Sequence, residues 1–311
     1  MHILHGGQHL ERATDFQAFI SQWSFSFFVL IFLGAFLVVY FWGTRRLSSR
    51  SNRKSAGKIK KWAFGGSLAA LLVALISPVD AYSNDLFFVH MIQHLLLVMV
   101  AAPLIRIASP MAEYLWGLPE SIRRPIGNML AKKGLIRVFL YGLTTPLVAW
   151  FLFAIVMWVW HVPEIYDMAL KSKELHDFEH LTMFFAGIVF WWPVLGLPVL
   201  FRQLAFPLRF LYLFLALLQN VILAAILTYT DTAIYRFYVD SPPHWGISPM
   251  TDQQLGGVLM WIVGSMMFAG VTIVLIYMWL ERDHRRMLKK QRDMSLRKEY
   301  LSLFEKQAQC S

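Results

Sequence analysis

Apolar residues fill this chain in seven long stretches, each apolar on every side rather than along one stripe. They cover about Trp23–Trp42, Trp62–Ser77, Leu86–Ile107, Val138–Trp160, Leu181–Leu200, Phe210–Tyr229 and Leu255–Leu280. A helix at a soluble surface shows one apolar face with a 3.6-residue period, whereas a helix that is apolar all round sits in a large core or in lipid. About twenty residues at about 1.5 Å each cross a hydrocarbon layer of about 30 Å. The pattern therefore predicts seven membrane spans. Trp and Tyr near their ends suit the interfacial belts of such helices. The second stretch is short and holds Gly65 and Gly66, while Pro146 and Pro193 fall inside the fourth and fifth and predict kinks there.

Composition supports this reading: 57% of the 311 residues are hydrophobic and 15% charged, against about 25% charged in a soluble domain. A lone cysteine, Cys310, excludes a disulfide framework. The net charge of +10 is compatible with nucleic acid, an acidic partner or a membrane surface, and its distribution decides among them. Eight Lys/Arg lie in Gly43–Lys61, six in Arg106–Arg137, two in Phe201–Arg209 and nine after Leu280. The remaining connections carry only Arg12, Lys171, Lys173 and Arg236. Basic residues thus mark every second connection, which predicts an extracytoplasmic N-terminus and a cytoplasmic C-terminus. No nucleic-acid-binding module accompanies the charge.

The expected fold is an all-α polytopic membrane protein, a bundle of seven transmembrane helices. An extracytoplasmic segment 1–22 precedes the membrane domain 23–280, and a basic cytoplasmic tail follows over 281–311. Segment 1–22 lacks a basic n-region, so the first stretch is expected to stay as a span rather than be cleaved as a signal. The tail is expected to prolong the last helix and to lie on the bilayer as an orientation anchor.

Nine of the ten histidines fall on the expected outer side, all but His284. His90 and His94 open the third stretch, His161 closes the fourth, and His176 and His180 lead into the fifth. Each i, i+4 pair projects from one helix face, with β-carbons about 5–6 Å apart. An imidazole at membrane depth is expensive unless it is paired or ligating. These five residues are therefore the candidate metal ligands, expected to converge in a shallow outward-facing cup. His2, His5, His9 and His244 are weaker candidates. Imidazoles with thioethers (Met91, Met157, Met168, Met183 and Met250 lie nearby) suit copper, although methionine also fills apolar cores.

Three other chemistries use the same residues. His176-Asp177-Phe178-Glu179-His180 matches the inverted zinc-peptidase pattern; His94 with His180 would hold haem between two helices; and a di-iron oxygenase uses histidine boxes, usually on the cytoplasmic side. Gln219 and Asn220 in the sixth stretch are expected to bond between helices, and Asp231 and Asp252 to cap helices rather than to guide cations. No Gly-rich phosphate loop, Ser/His/Asp order or nucleophilic cysteine indicates an enzyme.

Four blocks carry a resemblance to a known family. His90-Met91-Ile92-Gln93-His94-Leu95-Leu96-Leu97, Trp160-His161-Val162-Pro163-Glu164-Ile165-Tyr166, Leu175–His180 and Asp252-Gln253-Gln254-Leu255-Gly256-Gly257 resemble the CtaG family of polytopic cytochrome c oxidase assembly factors. The likeness runs from about Trp23 to Leu280. It implies a non-enzymatic, seven-helix protein of the bacterial plasma membrane that helps to supply copper to haem–copper oxidase. Its partners would be oxidase subunits, the lipid bilayer and other copper-supply proteins. Met1–His9 lies outside the resemblance.

Overall fold

The computed structural model describes residues 22–23, 27–50, 57–131, 134–195, 204–240 and 246–309. Those residues form helices and connections, with no strand among them. The helices are α1 (Phe27–Arg50), α2 (Lys58–Leu75), α3 (Pro78–Ser83), α4 (Phe87–Ala108), α5 (Met111–Gly117), α6 (Glu120–Met129) and α7 (Leu135–Leu143). They continue with α8 (Pro146–Trp160), α9 (Pro163–Lys171), α10 (Lys173–Leu195), α11 (Phe206–Tyr229), α12 (Arg236–Asp240) and α13 (Pro249–Gln309).

Five of these are long and apolar enough to cross a membrane, in α1, α4, α10, α11 and α13. The α7–α8 pair makes a sixth if it is taken as one span. The protein is therefore a multi-pass helical membrane protein. Its outward faces carry Phe32, Leu147, Leu181, Phe214 and Ile273, all exposed. So much apolar surface would be a liability in water, but it matches lipid.

Two of the expected stretches differ in form. The fourth is not one kinked helix, because α7 and α8 meet at 69° and Pro146 stands in the first turn of α8. Proline lacks the N–H that an interior position must donate, and that loss costs nothing in a first turn. The second stretch becomes α2, only 18 residues long, with Lys58, Lys60 and Lys61 in its first turn; it is not among the candidate spans. Elsewhere the boundaries move modestly. α10 starts at Lys173, eight residues before the expected stretch, and so takes both its histidines into regular helix. Pro193 stays near its end. α13 runs unbroken from the last apolar stretch into the basic tail, as expected.

Helix α4 is the hub, packing against α2, α3, α10 and α13. Its start has no capping side chain of its own, since its N-cap is Leu86. Asp252 from α13 supplies one instead: its carboxylate oxygens accept the Phe87 and Phe88 N–H groups at 2.7 and 2.9 Å. Residues 165 positions apart are thereby tied at the histidine end. Beside this contact a Cβ on Gly256 would overlap the Phe87 ring. Glycine at that position lets α13 lie against α4.

Midway along α4, Leu96–Ala101 widens into a π-helical segment. Side chains from its neighbours bond to this stretch: Trp191 Nε1 donates to the Val98 carbonyl and Ser67 Oγ to that of Ala101, both at 2.9 Å. Gly187 of α10 faces the same region, with room for a Cβ only 3.0 Å from that of Ala102. Small residues at helix crossings allow such close approach in lipid. Gln219 and Asn220 bond between helices as expected, to Trp158 Nε1 and the Met260 carbonyl.

Candidate metal centre

The close approach of α4 and α10 brings together histidines 82–90 positions apart in sequence. From α4 come His90 and His94, one turn apart. From α10 come His176, Glu179 and His180, on one face because i, i+3 and i+4 are neighbours on a helix. His90 and His94 meet through their Nε2 atoms at 2.8 Å. The ring centroid of His90 is 5.0 Å from that of His176 and 5.8 Å from that of His180, and His94 lies 5.6 Å from His180. Glu179 Oε1 is 3.3 Å from His94 Nε2 and 3.9 Å from His90 Nε2.

His161 is the outlying member. It sits in the turn after α8, with its ring 6.2 Å from His94 and its Nδ1 2.6 Å from the Met157 carbonyl. Burial pushes its imidazole down to about 4, so it is neutral at neutral pH. The hydrogen bond fixes Nδ1 as the protonated nitrogen and leaves the Nε2 lone pair available.

The structure brings the five expected histidines near one another, but in a different setting from the expected cup. In place of an open cup, the five rings are only 0–9% exposed, and Glu179 is fully buried. Burial makes their hydrogen bonds decisive. His94 Nδ1, the Nε2 atoms of His161, His176 and His180, and both carboxylate oxygens of Glu179 have no hydrogen-bond partner. Each such buried group forfeits about 1–3 kcal/mol. Six such atoms within this cluster are donors that a cation could satisfy. Ligand atoms of His90, His94 and His180 fall within 4.8 Å of one another, as do those of His90, His176 and Glu179. With metal–nitrogen bonds of about 2.0–2.1 Å, the 2.8 Å between the His90 and His94 nitrogens would subtend roughly 85° at a shared ion. The donors fit a metal.

A second layer orients His90. Its Nδ1 lies 2.8 Å from the Tyr166 hydroxyl of α9 and 3.3 Å from that of Tyr238 in α12. The Tyr238 hydroxyl donates in turn to the Ser83 carbonyl at 2.7 Å. Burial raises both phenols well above their ordinary range, so they act as hydrogen-bonding groups rather than phenolate ligands. Such partners hold the ring of a metal-binding histidine. Between the two α4 histidines, Gln93 donates to the Ala74 carbonyl and to Asp80 Oδ1. A cavity of about 190 Å³ reaches the cluster from one side, with Asp80, Asn84, Asp177, His176 and His180 in its wall.

Glu179 is the member of the cluster that is not among the ligands expected from the sequence. It stood in plain view inside the zinc-peptidase pattern, and its i+3 offset from His176 was the available signal. Tyr166 lay within the Trp160–Tyr166 block. Tyr238 had no signal. Met91, Met157 and Met183 belong to the apolar core, and Met168 is exposed. Asp252 caps α4, as its capping reading anticipated, though on a distant helix. His2, His5, His9 and His244 lie outside the described residues.

A multi-pass helical membrane protein with a buried histidine–carboxylate cluster beneath one end is the class that fold and site define. The sequence pattern of the cytochrome c oxidase caa3 assembly factor family (Caa3_CtaG) matches residues 38–282, and the chain belongs to that family. It is also 26% identical over 285 residues to "Uncharacterized protein Mb0105" of Mycobacterium bovis and, equally, to "Uncharacterized protein MT0111" of Mycobacterium tuberculosis. Identity to "Uncharacterized protein ML1998" of Mycobacterium leprae is 23% over 296 residues. These alignments cover 90–92% of this chain but 42–44% of the relatives, so the chain spans less than half of their length. No solved structure matches significantly.

Proposed function

We propose that this oxidase assembly factor binds copper through His90, His94, His176, His180 and Glu179, with His161 at the edge of the site, and passes the ion to an oxidase subunit. The supporting observation is the group of six buried, partnerless nitrogen and oxygen atoms on four histidines and Glu179. Imidazoles with a carboxylate suit copper and other borderline divalent ions; membership of an oxidase assembly family favours copper. The distribution of basic residues supports a bacterial plasma-membrane protein whose histidine end faces outward.

The ion reaches and leaves the ligands by the cavity at His176 and His180, since the rings themselves are buried. Release to a partner then requires that partner, or a small opening of α9 and α10, to widen that route. Transport across the membrane is less well supported. Beyond His94, α4 continues through Leu95–Ile105, and among the described residues no further group of three ligand side chains lies toward the basic end. Haem is also a poorer fit: a flat macrocycle would have to pass between His94 and His180, with His90 and His176 already beside them. Metal analysis of the purified protein tests the proposal. Wild type should retain stoichiometric copper and H90A/H94A almost none, with oxidase maturation lost while the protein still accumulates. Normal oxidase maturation in H90A/H94A would overturn it.

A further inference from the structure

At the opposite end of the bundle, α11 begins and α13 leaves its apolar stretch. Two adjoining cavities lie there, about 450 and 660 Å³, sharing Phe206, Arg209, Arg282 and Arg286. Arg209 is only 4% exposed. It is held by hydrogen bonds from Nε to the Leu204 carbonyl (2.8 Å) and from Nη1 to the Val194 carbonyl (3.0 Å), with its guanidinium 4.7 Å above the Phe206 ring. This is a fixed charge, unlike the mobile cations of a solvated tail.

Arg285 and Lys289 line the larger cavity, with Glu281 as the counter-charge, and Asp283 lines the smaller. Glu281 is engaged by Arg285 at 2.6 Å. Among the described residues no carboxylate pairs with Arg282, Arg286 or Lys289. The walls therefore hold five cations against two anions, and the surplus is mostly arginine, whose planar fork matches phosphate oxygens. The remaining walls are aromatic and apolar: Phe206, Trp279 and Tyr277. They lie at the level where α13 changes from apolar to basic, the depth at which aromatic residues meet lipid headgroups. A ligand matched to both features carries phosphate at one end and hydrocarbon at the other.

We infer that these two cavities form a binding site for an anionic phospholipid, its phosphate held by Arg209, Arg282 and Arg286 and its chains lying along Phe206 and Trp279. A diffuse basic surface would treat all cations of α13 alike, whereas this site depends on the few that line the cavities.

The full-length protein is reconstituted in phosphatidylcholine bilayers containing a minor fraction of phosphatidylglycerol, and the lipid it retains is counted by native mass spectrometry. Wild type should retain phosphatidylglycerol in preference to phosphatidylcholine. R282Q/R286Q should reduce that preference by about fivefold for each cation removed. R292Q/K298Q removes equal charge from the same helix outside both cavities and should retain it. No preference in wild type, or equal loss in the two variants, would overturn the inference. Equal displacement by inorganic phosphate would as well, because the site would then take a free anion rather than a lipid.

Discussion

At one end of the bundle five imidazoles and Glu179 are packed away from water, and half of their side-chain nitrogen and oxygen atoms lack a hydrogen-bond partner within the protein. At the other end Arg282, Arg285, Arg286 and Lys289 stand exposed around a single buried arginine, Arg209. The same helix, α13, runs from one end to the other. Asp252 near its start pins α4, and the arginines further along carry charge. Burial makes a polar group costly until a specific partner satisfies it, so under the proposed function the histidine end would be selective for an ion. Exposure keeps the basic end inexpensive to maintain, and it acts mainly as a field, with one organised pocket.

The largest test of this contrast lies at Glu179. E179Q keeps its shape and removes its charge. Metal affinity should fall by at least the roughly 100-fold that loss of a supporting partner can cause, measured by competition against a chelator. In metal-free protein the same change should raise thermal stability, since a buried carboxylate that pairs with no Lys or Arg among the described residues is costly. A variant that binds metal normally would show that Glu179 is no ligand.

An intermediate effect is expected at Asp252. D252A leaves the Phe87 and Phe88 N–H groups without their acceptor and should cost about 0.5–2 kcal/mol, seen as a lower Tm. Metal affinity should weaken with it, because α4 carries His90 and His94. Loss of metal without loss of stability would instead place Asp252 in the site itself.

The smallest effect at neutral pH comes from the titration of His161, which shows only as the pH falls. The His161 imidazole is held at about 4 in the folded protein, against about 6.5 in an unfolded chain. Below about 6.5 the unfolded chain takes up a proton that the folded protein refuses. His161 therefore leaves stability undiminished above that pH and lowers it as pH falls toward about 4. In metal-free H161Q the melting curve should flatten over this window. An unchanged slope would show that His161 does not contribute.

Much of the site was legible one helix at a time. The i, i+4 spacings of His90 with His94 and His176 with His180 follow from helix geometry alone, and both pairs lie on regular helix. Glu179 shares the face of His176 by the same rule, but within the chain it equally completes a zinc-peptidase pattern, which points to a different chemistry. Nothing local indicated that Tyr238 would reach His90, or that Asp252 would cap α4 rather than its own helix. Pro146 shows the same limit in the fold. A proline inside an apolar run is compatible with a kink or a break, and the two differ only in how neighbouring helices pack.

The chain by itself determined its all-helical membrane character, the segregation of its basic residues and the residues able to ligate. Each of these depends on composition or on contacts within a few residues. Tertiary structure decided that α4 and α10 approach closely through Gly187, that the histidines end up buried rather than in an open cup, and that Glu179 joins them. Such outcomes depend on which helix faces meet, and a helix that is apolar all round carries almost no local mark of the face it will present.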